Sequence, residues 1–89
     1  MTRYDIEFSA RAYRQFGKLD VQTRTRLAPA IEALADEPRL AGVAVLVGGE
    51  GLYRIRVGAY RVVYAIEDQR LVVLVVKVGH RRDVYREPQ

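Results

Sequence analysis

The chain alternates between two hydrophobic periods, and the switch between them divides it into a helical first part and a sheet-forming remainder. Tyr4-Asp5-Ile6-Glu7-Phe8 places apolar side chains at every second position, the spacing of a half-buried strand. Ser9 is a good N-cap for a short helix over Ala10–Phe16 that ends near Gly17. Asp20 caps a second helix reaching about Asp36, with Leu27, Ile31 and Leu34 spaced i, i+4, i+7 along one face. Pro29 lies inside this pattern and predicts a kink or break, and Pro38 stops the helix.

From Val43 onward the period is two. Leu52–Val57 alternates, Gly58-Ala59 supplies a two-residue turn, and Tyr60–Glu67 alternates again. Asp68-Gln69 is read as a second two-residue turn. That turn sets Glu67 opposite Arg70 and Arg61 opposite Val76. Leu71–Val78 is nearly continuous apolar, as expected of a central strand covered on both faces. The two helices cover one face, and something other than bulk water covers part of the other. No repeat, low-complexity tract or linker interrupts the pattern, so 1–89 reads as one domain. A chain of 89 residues is too short for two independent cores.

Composition narrows the chemistry. There is no cysteine, which excludes a disulfide framework, a thiol nucleophile and any thiolate metal site. The N-terminal residues have no apolar signal region, and Leu71–Val76 is far short of the ~20 residues of a membrane span, so the expectation is a soluble cytoplasmic protein with no membrane partner. Charge is unevenly placed. Residues 1–50 hold seven basic and seven acidic side chains, whereas residues 51–89 hold eight basic and four acidic ones, so the whole net charge of +4 falls in the second part. Arginine outnumbers lysine thirteen to two. Its planar fork binds phosphate bidentately and stacks on bases, which points toward nucleic acid or another polyanion. A high-GC genome produces the same bias, and composition alone does not separate the two.

The first hairpin sharpens the choice. A two-residue turn at Gly58-Ala59 pairs Val57 with Tyr60, Arg56 with Arg61, and Ile55 with Val62. Arg54 and Arg56 share a face by the two-residue period, so three guanidiniums converge on one patch. Like charges directly opposed cost up to ~1 kcal/mol. No acid lies between Gly51 and Ile66 to offset them, and a polyanion is the simplest missing partner. A solvated arginine face is the plainer reading, and three arginines on one face favour anion binding over it. In the second hairpin His80 keeps the parity of Val76, and hence of Arg61, if the strand runs on past Gly79. As the one histidine it suits proton transfer, with a surface strand-end histidine the equal alternative. Arg81, Arg82 and Tyr85 follow, a grouping able to hold a phosphate and stack a base.

Other motifs carry less. Gly48-Gly49-Glu50-Gly51 lacks the lysine, hydroxyl and following helix of a phosphate loop. One histidine without cysteine assembles no ordinary zinc site. Ser9 serves better as a cap than as a nucleophile, Glu67-Asp68 as a solvated turn, and Tyr53, Tyr60 and Tyr64 as packing residues.

The run Gly51-Leu52-Tyr53-Arg54-Ile55-Arg56-Val57-Gly58-Ala59-Tyr60-Arg61-Val62-Val63-Tyr64 resembles the central hairpin of the RelE/ParE superfamily of bacterial type II toxins. Val78-Gly79-His80-Arg81-Arg82-Asp83-Val84-Tyr85 is similar to its C-terminal motif, and Tyr4–Ser9 and Leu34…Pro38 match in order and spacing. The resemblance implies an α+β fold: an N-terminal strand and a two-helix hairpin on a mostly antiparallel, four-stranded twisted sheet. For the RelE-like branch it implies an endoribonuclease that enters the ribosomal A site and cuts mRNA without metal or other cofactor. In that reaction a ribose 2′-hydroxyl attacks the adjacent phosphate, leaving a cyclic phosphate and a 5′-hydroxyl. Arg54 and Arg56 then occupy the places of two basic strand residues, and Arg61 and Arg81 those of arginines on the scissile phosphate. Tyr85 matches the terminal tyrosine, and His80 the place of a histidine or lysine. Arg82 joins Arg54 as an RNA-binding residue.

One departure matters. Arg56 stands where the family has a lysine proposed to accept the 2′-hydroxyl proton, and a guanidinium is too weak an acid to serve as an ordinary base. Proton abstraction then falls to His80, to Tyr85 or to groups of the ribosome. The resemblance also implies a cognate antitoxin, expected over the His80–Tyr85 tail or across the arginine patch, and operator DNA bound only through the antitoxin complex. Two alternatives share the fold: a ParE-like inhibitor of DNA gyrase, a branch that generally lacks the full basic-plus-tyrosine set, and a degenerate toxin that only binds RNA or antitoxin.

Overall fold

The computed structural model describes residues 3–39, 44–45, 51–80 and 82. In chain order the elements are β1 (Asp5–Phe8), α1 (Ala10–Gly17), α2 (Val21–Ala33), β2 (Ala44–Val45), β3 (Leu52–Val57), β4 (Tyr60–Glu67) and β5 (Val72–His80). The helices start where the capping residues direct. Ser9 is extended and its Oγ accepts from the Ala12 amide at 3.1 Å; Asp20 Oδ1 accepts from the Thr23 amide at 2.9 Å. Arg24 then reaches back to close the end of α1, donating from Nη1 to the Gly17 carbonyl at 3.0 Å and to the Leu19 carbonyl at 2.9 Å.

Of the kink or break expected at Pro29, the break does not occur: α2 runs continuously from Val21 to Ala33 and passes into turns through Asp36. The reason is energetic. Leu27, Ile31 and Leu34, which bracket the proline, are 1%, 3% and 0% exposed. Each such burial contributes roughly 1.5–3 kcal/mol, and together they outweigh the ~3 kcal/mol that an interior proline costs.

The strands form one sheet in the order β1-β5-β4-β3-β2, antiparallel except for the β1–β5 pair. The four long strands are joined at one edge by the two-residue β2, so the observed sheet has five strands. β5 is an interior strand, paired on both sides by β1 and β4, in keeping with its apolar run. The helical hairpin covers one face, where Ala12, Leu27, Ile31 and Leu34 pack with Val62, Tyr64, Val73, Val75 and Val78. Helix α1 also covers the part of β5 that β1 is too short to pair. The Ser9 amide donates to the Val75 carbonyl at 2.8 Å, and the Val78 amide donates to Gln15 Oε1 at 2.8 Å. No described helix is long and apolar enough to cross a membrane.

The β3–β4 hairpin has the predicted two-residue turn. Gly58 sits at φ +61°, a left-handed conformation that favours glycine, and a Cβ there would lie 3.1 Å from Arg26 Nη2, which a small shift of that side chain relieves. The second turn differs from expectation. The β4–β5 connection is the four residues Asp68–Leu71, and Glu67 pairs with Val72 rather than Arg70. Leu71 adopts the left-handed conformation at φ 54°, a conformation that costs a non-glycine residue on the order of 1–2 kcal/mol. Pairing with β1 holds it there, since its carbonyl accepts from the Asp5 amide at 2.8 Å.

Two polar anchors tie the segment after α2 to the sheet. The Tyr64 hydroxyl, on a fully buried ring, donates to the Pro38 carbonyl at 2.7 Å, and burial pushes its pKa up to about 12. Arg39 grips Asp68 bidentately at 3.2 and 2.9 Å while the Tyr4 hydroxyl donates to Asp68 Oδ1 at 2.7 Å. Glu67-Asp68 is thus part of a structural clamp rather than a merely solvated turn.

Tyr64→Phe leaves the buried Pro38 carbonyl unsatisfied and is expected to cost about 1–3 kcal/mol, or roughly 4–8 °C of melting temperature for each kcal/mol, read by thermal unfolding. Asp68 is held below the ordinary carboxylate range, chiefly by the Arg39 guanidinium and then by the Tyr4 hydroxyl. A depressed carboxylate stabilises the fold above its unfolded pKa of ~3.9, and this is lost as pH falls through the folded value. Asp68→Asn is therefore expected to lower stability at neutral pH and to flatten its decline below about pH 4, measured by denaturant titrations across pH.

Candidate nucleic-acid interface

The site lies on the sheet face away from the helices. Strand pairing sets Val57 opposite Tyr60, Arg56 opposite Arg61, Ile55 opposite Val62 and Arg54 opposite Val63. Ile55, Val57, Tyr60 and Val62 belong to the helix-side core, so Arg54, Arg56, Arg61 and Val63 project from the other face. The structure thus brings together the three arginines that the hairpin register predicts. Their environments differ: Arg61 is only 8% exposed, Arg54 is partly buried, and Arg56 is exposed. A buried arginine flanked by more accessible ones forms a cationic floor with cationic walls, a shape that suits a phosphate.

Strand β5 completes the face differently from the sequence reading. Arg61 pairs with Gly79, not Val76, and Val63 pairs with Lys77. A register shift falls between Val63 and Tyr64: Tyr64 pairs with Val75, so Val76 is the extra residue of a bulge in β5. The longer turn and the bulge together reverse the parity assumed for the end of β5. His80 therefore pairs with Tyr60 and lies on the helix side, its ring 5.6 Å from the Tyr60 ring in an edge-on contact. It does not share the face of Arg61. Its Nδ1 accepts from the Arg82 amide at 3.3 Å. Gly79 does not bend the strand away, since β5 continues through His80. Arg82 is exposed, and Arg81 and Tyr85 lie outside the described residues.

Lys77 is the residue that the sequence reading missed. It sits in the row Arg54–Val63–Lys77, beside the row Arg56–Arg61–Gly79. Val63 is 2% exposed although it stands outside the helix-side core. The long stems of Arg54 and Lys77 on either side suit that burial, since such side chains cover apolar surface while keeping the charge in water. A signal was available: a lone cation inside the apolar Leu71–Val78 run rarely sits there without a role.

At the other end of the same face the charges are balanced. Arg70 bonds Glu67 at 2.7 Å and approaches Glu7 at 3.5 Å. A shallow cleft lined by Thr23, Arg26, Leu27, Val57 and Tyr60 opens on the helix side and is separate from the basic face. Among the described residues no three His, Cys, Asp or Glu side chains are grouped to hold a metal ion. The arrangement can bind phosphate and stabilise added negative charge on it.

Residues 6–85 match the family described as the ParE toxin of type II toxin-antitoxin systems, parDE. The mRNA interferase toxin RelE of Escherichia coli (strain K12) is 32% identical over 88 residues, covering 94% of this chain and 92% of that protein. Toxin RelG of Mycobacterium tuberculosis is 31% identical over 84 residues, covering 93% and 97% respectively. Among solved structures, the toxin–antitoxin complex RelBE2 of M. tuberculosis superposes with a TM-score of 0.80 at 29% identity, covering 91% of this chain and 94% of that one. The isolated E. coli RelE toxin superposes with a TM-score of 0.78 at 28% identity, covering 93% and 97%. With a family match over residues 6–85 and relatives alike in sequence and fold along nearly its whole length, the chain belongs to the RelE/ParE superfamily of type II toxins, on its RelE-like branch.

Proposed function

We propose that this chain is the toxin of a type II toxin–antitoxin pair and acts in the cytoplasm as a ribosome-dependent endoribonuclease, cutting mRNA in the A site. The observation that carries the proposal is the convergence of Arg54, Arg56 and Arg61 on the helix-free face, with Arg56 and Arg61 directly opposed. Juxtaposed cations destabilise an isolated hairpin, and a phosphate between them reverses the sign of that interaction. In-line attack by a 2′-hydroxyl adds charge to the phosphorus-bound oxygens, and a preset cluster of guanidiniums stabilises that charge without reorganising. Relatives named mRNA interferase support the reading. Arg81, Tyr85 and Arg82 are proposed to extend the face from the C-terminal side.

The partner is a cognate antitoxin, in keeping with related toxins solved in complex with theirs. It is proposed to neutralise the basic face or the tail beyond His80, and to supply any contact with operator DNA. A second reading, gyrase inhibition, has the description of the matching family in its favour. It gives the arginines no phosphate to cleave.

Purified protein added to programmed ribosomes is expected to cut mRNA at A-site codons, mapped by primer extension. Arg61→Ala should slow that cleavage by on the order of 10²–10³, with a thermal melt showing that the variant is folded. Intact mRNA together with inhibited supercoiling by gyrase would establish the second reading instead.

A further inference from the structure

The three arginines of the basic face share a chemical limit. A guanidinium stays protonated at any pH the protein meets, so none of them can take a proton from an attacking hydroxyl. The histidine that sequence parity offered for this work is on the other face, against Tyr60. Lys77 is on the right one. It lies opposite Val63, whose other neighbour is Arg54, and two residues along β5 from Gly79, the partner of Arg61. Diagonal neighbours in adjacent strands are about 7–8 Å apart at Cα, within reach of long side chains, so the Lys77 amine and the Arg61 guanidinium can meet on one phosphodiester. Gly79 contributes no side chain to this corner, and the backbone there admits the close approach of a ligand.

We propose that Lys77 is the proton acceptor of this face: its neutral amine takes the proton of the attacking 2′-hydroxyl while Arg56 and Arg61 hold the phosphate. The inference rests on the endoribonuclease reading above. The step balances. The 2′-oxygen forms its bond to phosphorus, the bond from phosphorus to the 5′-oxygen breaks, and the proton passes to the Lys77 amine. The 5′-oxygen leaves with the bonding pair and takes a proton from solvent, and the Lys77 ammonium returns its proton to solvent. The charged groups on the elements packed against this end of β5 are Arg61 of β4 and, across the sheet, Arg11 and Arg14 of α1, while Asp5 and Glu7 of β1 and Glu67 of β4 pair with its far end, and Arg54 and Arg56 stand one strand further on. No carboxylate on those elements lies at this end to pair with the lysine.

The test is single-turnover cleavage on programmed ribosomes between about pH 6 and 9, with sedimentation to measure binding. The wild type should speed up about tenfold per pH unit below its plateau, as expected when only the neutral amine works. Lys77→Arg keeps the charge and should bind ribosomes within about twofold of wild type, yet cleave at least ~100-fold more slowly and without that pH rise. Lys77→Gln should behave alike in cleavage, and decides the matter if the arginine variant fails to fold. Cleavage by Lys77→Arg within about threefold of wild type, or a pH rise that survives either substitution, would place the proton elsewhere and overturn the proposal. A wild type that binds but never cuts would overturn the endoribonuclease reading itself, a different result.

Discussion

Everything on the helix-free face depends on how β5 is set against β4. A strand has only two sides, so a shift of one residue moves every side chain from one to the other. Two features fix that setting. At one end Leu71 is held in a left-handed conformation by the pairing of β1 with the start of β5, which closes a four-residue connection instead of a two-residue one. Halfway along, the bulge at Val76 changes parity. Before the bulge, Val73 and Val75 face the helices; after it, Val78 and His80 do. Without the bulge Lys77 would point into the helix-side core, where an unpaired ammonium is expensive to bury. The bulge therefore satisfies two demands at once: it keeps the apolar residues inward and delivers a cation to the basic face.

The same sheet resolves a conflict between stability and function. Opposing Arg56 and Arg61 costs up to ~1 kcal/mol, a noticeable fraction of what a small domain has to spare. The opposite face offsets it. Tyr64, Val62, Val73 and Val75 are each fully buried beneath the two helices, and every such side chain contributes roughly 1.5–3 kcal/mol. Charge is sorted along the strands as well. Glu7, Glu67 and Arg70 neutralise one another at one end of the helix-free face, while the cations gather at the other. A phosphate approaching this face meets a potential that rises toward the β3–β4 turn, which orients it before contact.

Much of this was legible in the sequence because local rules set it. Ser9 and Asp20 announce the helix starts, and the glycine at Gly58 fixes the first hairpin, so Arg54, Arg56 and Arg61 could be placed on one face from spacing alone. What was not legible depended on contacts distant in sequence. Asp68-Gln69 looks like a complete turn; the connection runs on to Leu71 because Arg39 and Tyr4 clamp Asp68 and β1 captures the Leu71 carbonyl. No local signal marks Val76 as a bulge among valines. The misplacement of His80 and the omission of Lys77 are one error seen from both sides. Pro29 shows the converse, a correct local signal overruled by the burial of Leu27 and Ile31.

The superfamily fold places no chemistry by itself, because gyrase inhibition and mRNA cleavage are both performed on it, and function must be argued from the site. Binding and cleavage make different demands on the same few positions. Binding a polyanion needs only positive charge, and arginine at each strand position suffices. Cutting a phosphodiester needs charge and also a group that changes protonation state in neutral solution. A hairpin whose strand cations are all arginine meets the first requirement and fails the second, so a cleaving enzyme must draw its titratable group from the neighbouring strand or from the tail. The register of β5 places a primary amine, that of Lys77, on this face, on the side of Arg61 that Gly79 leaves without a side chain.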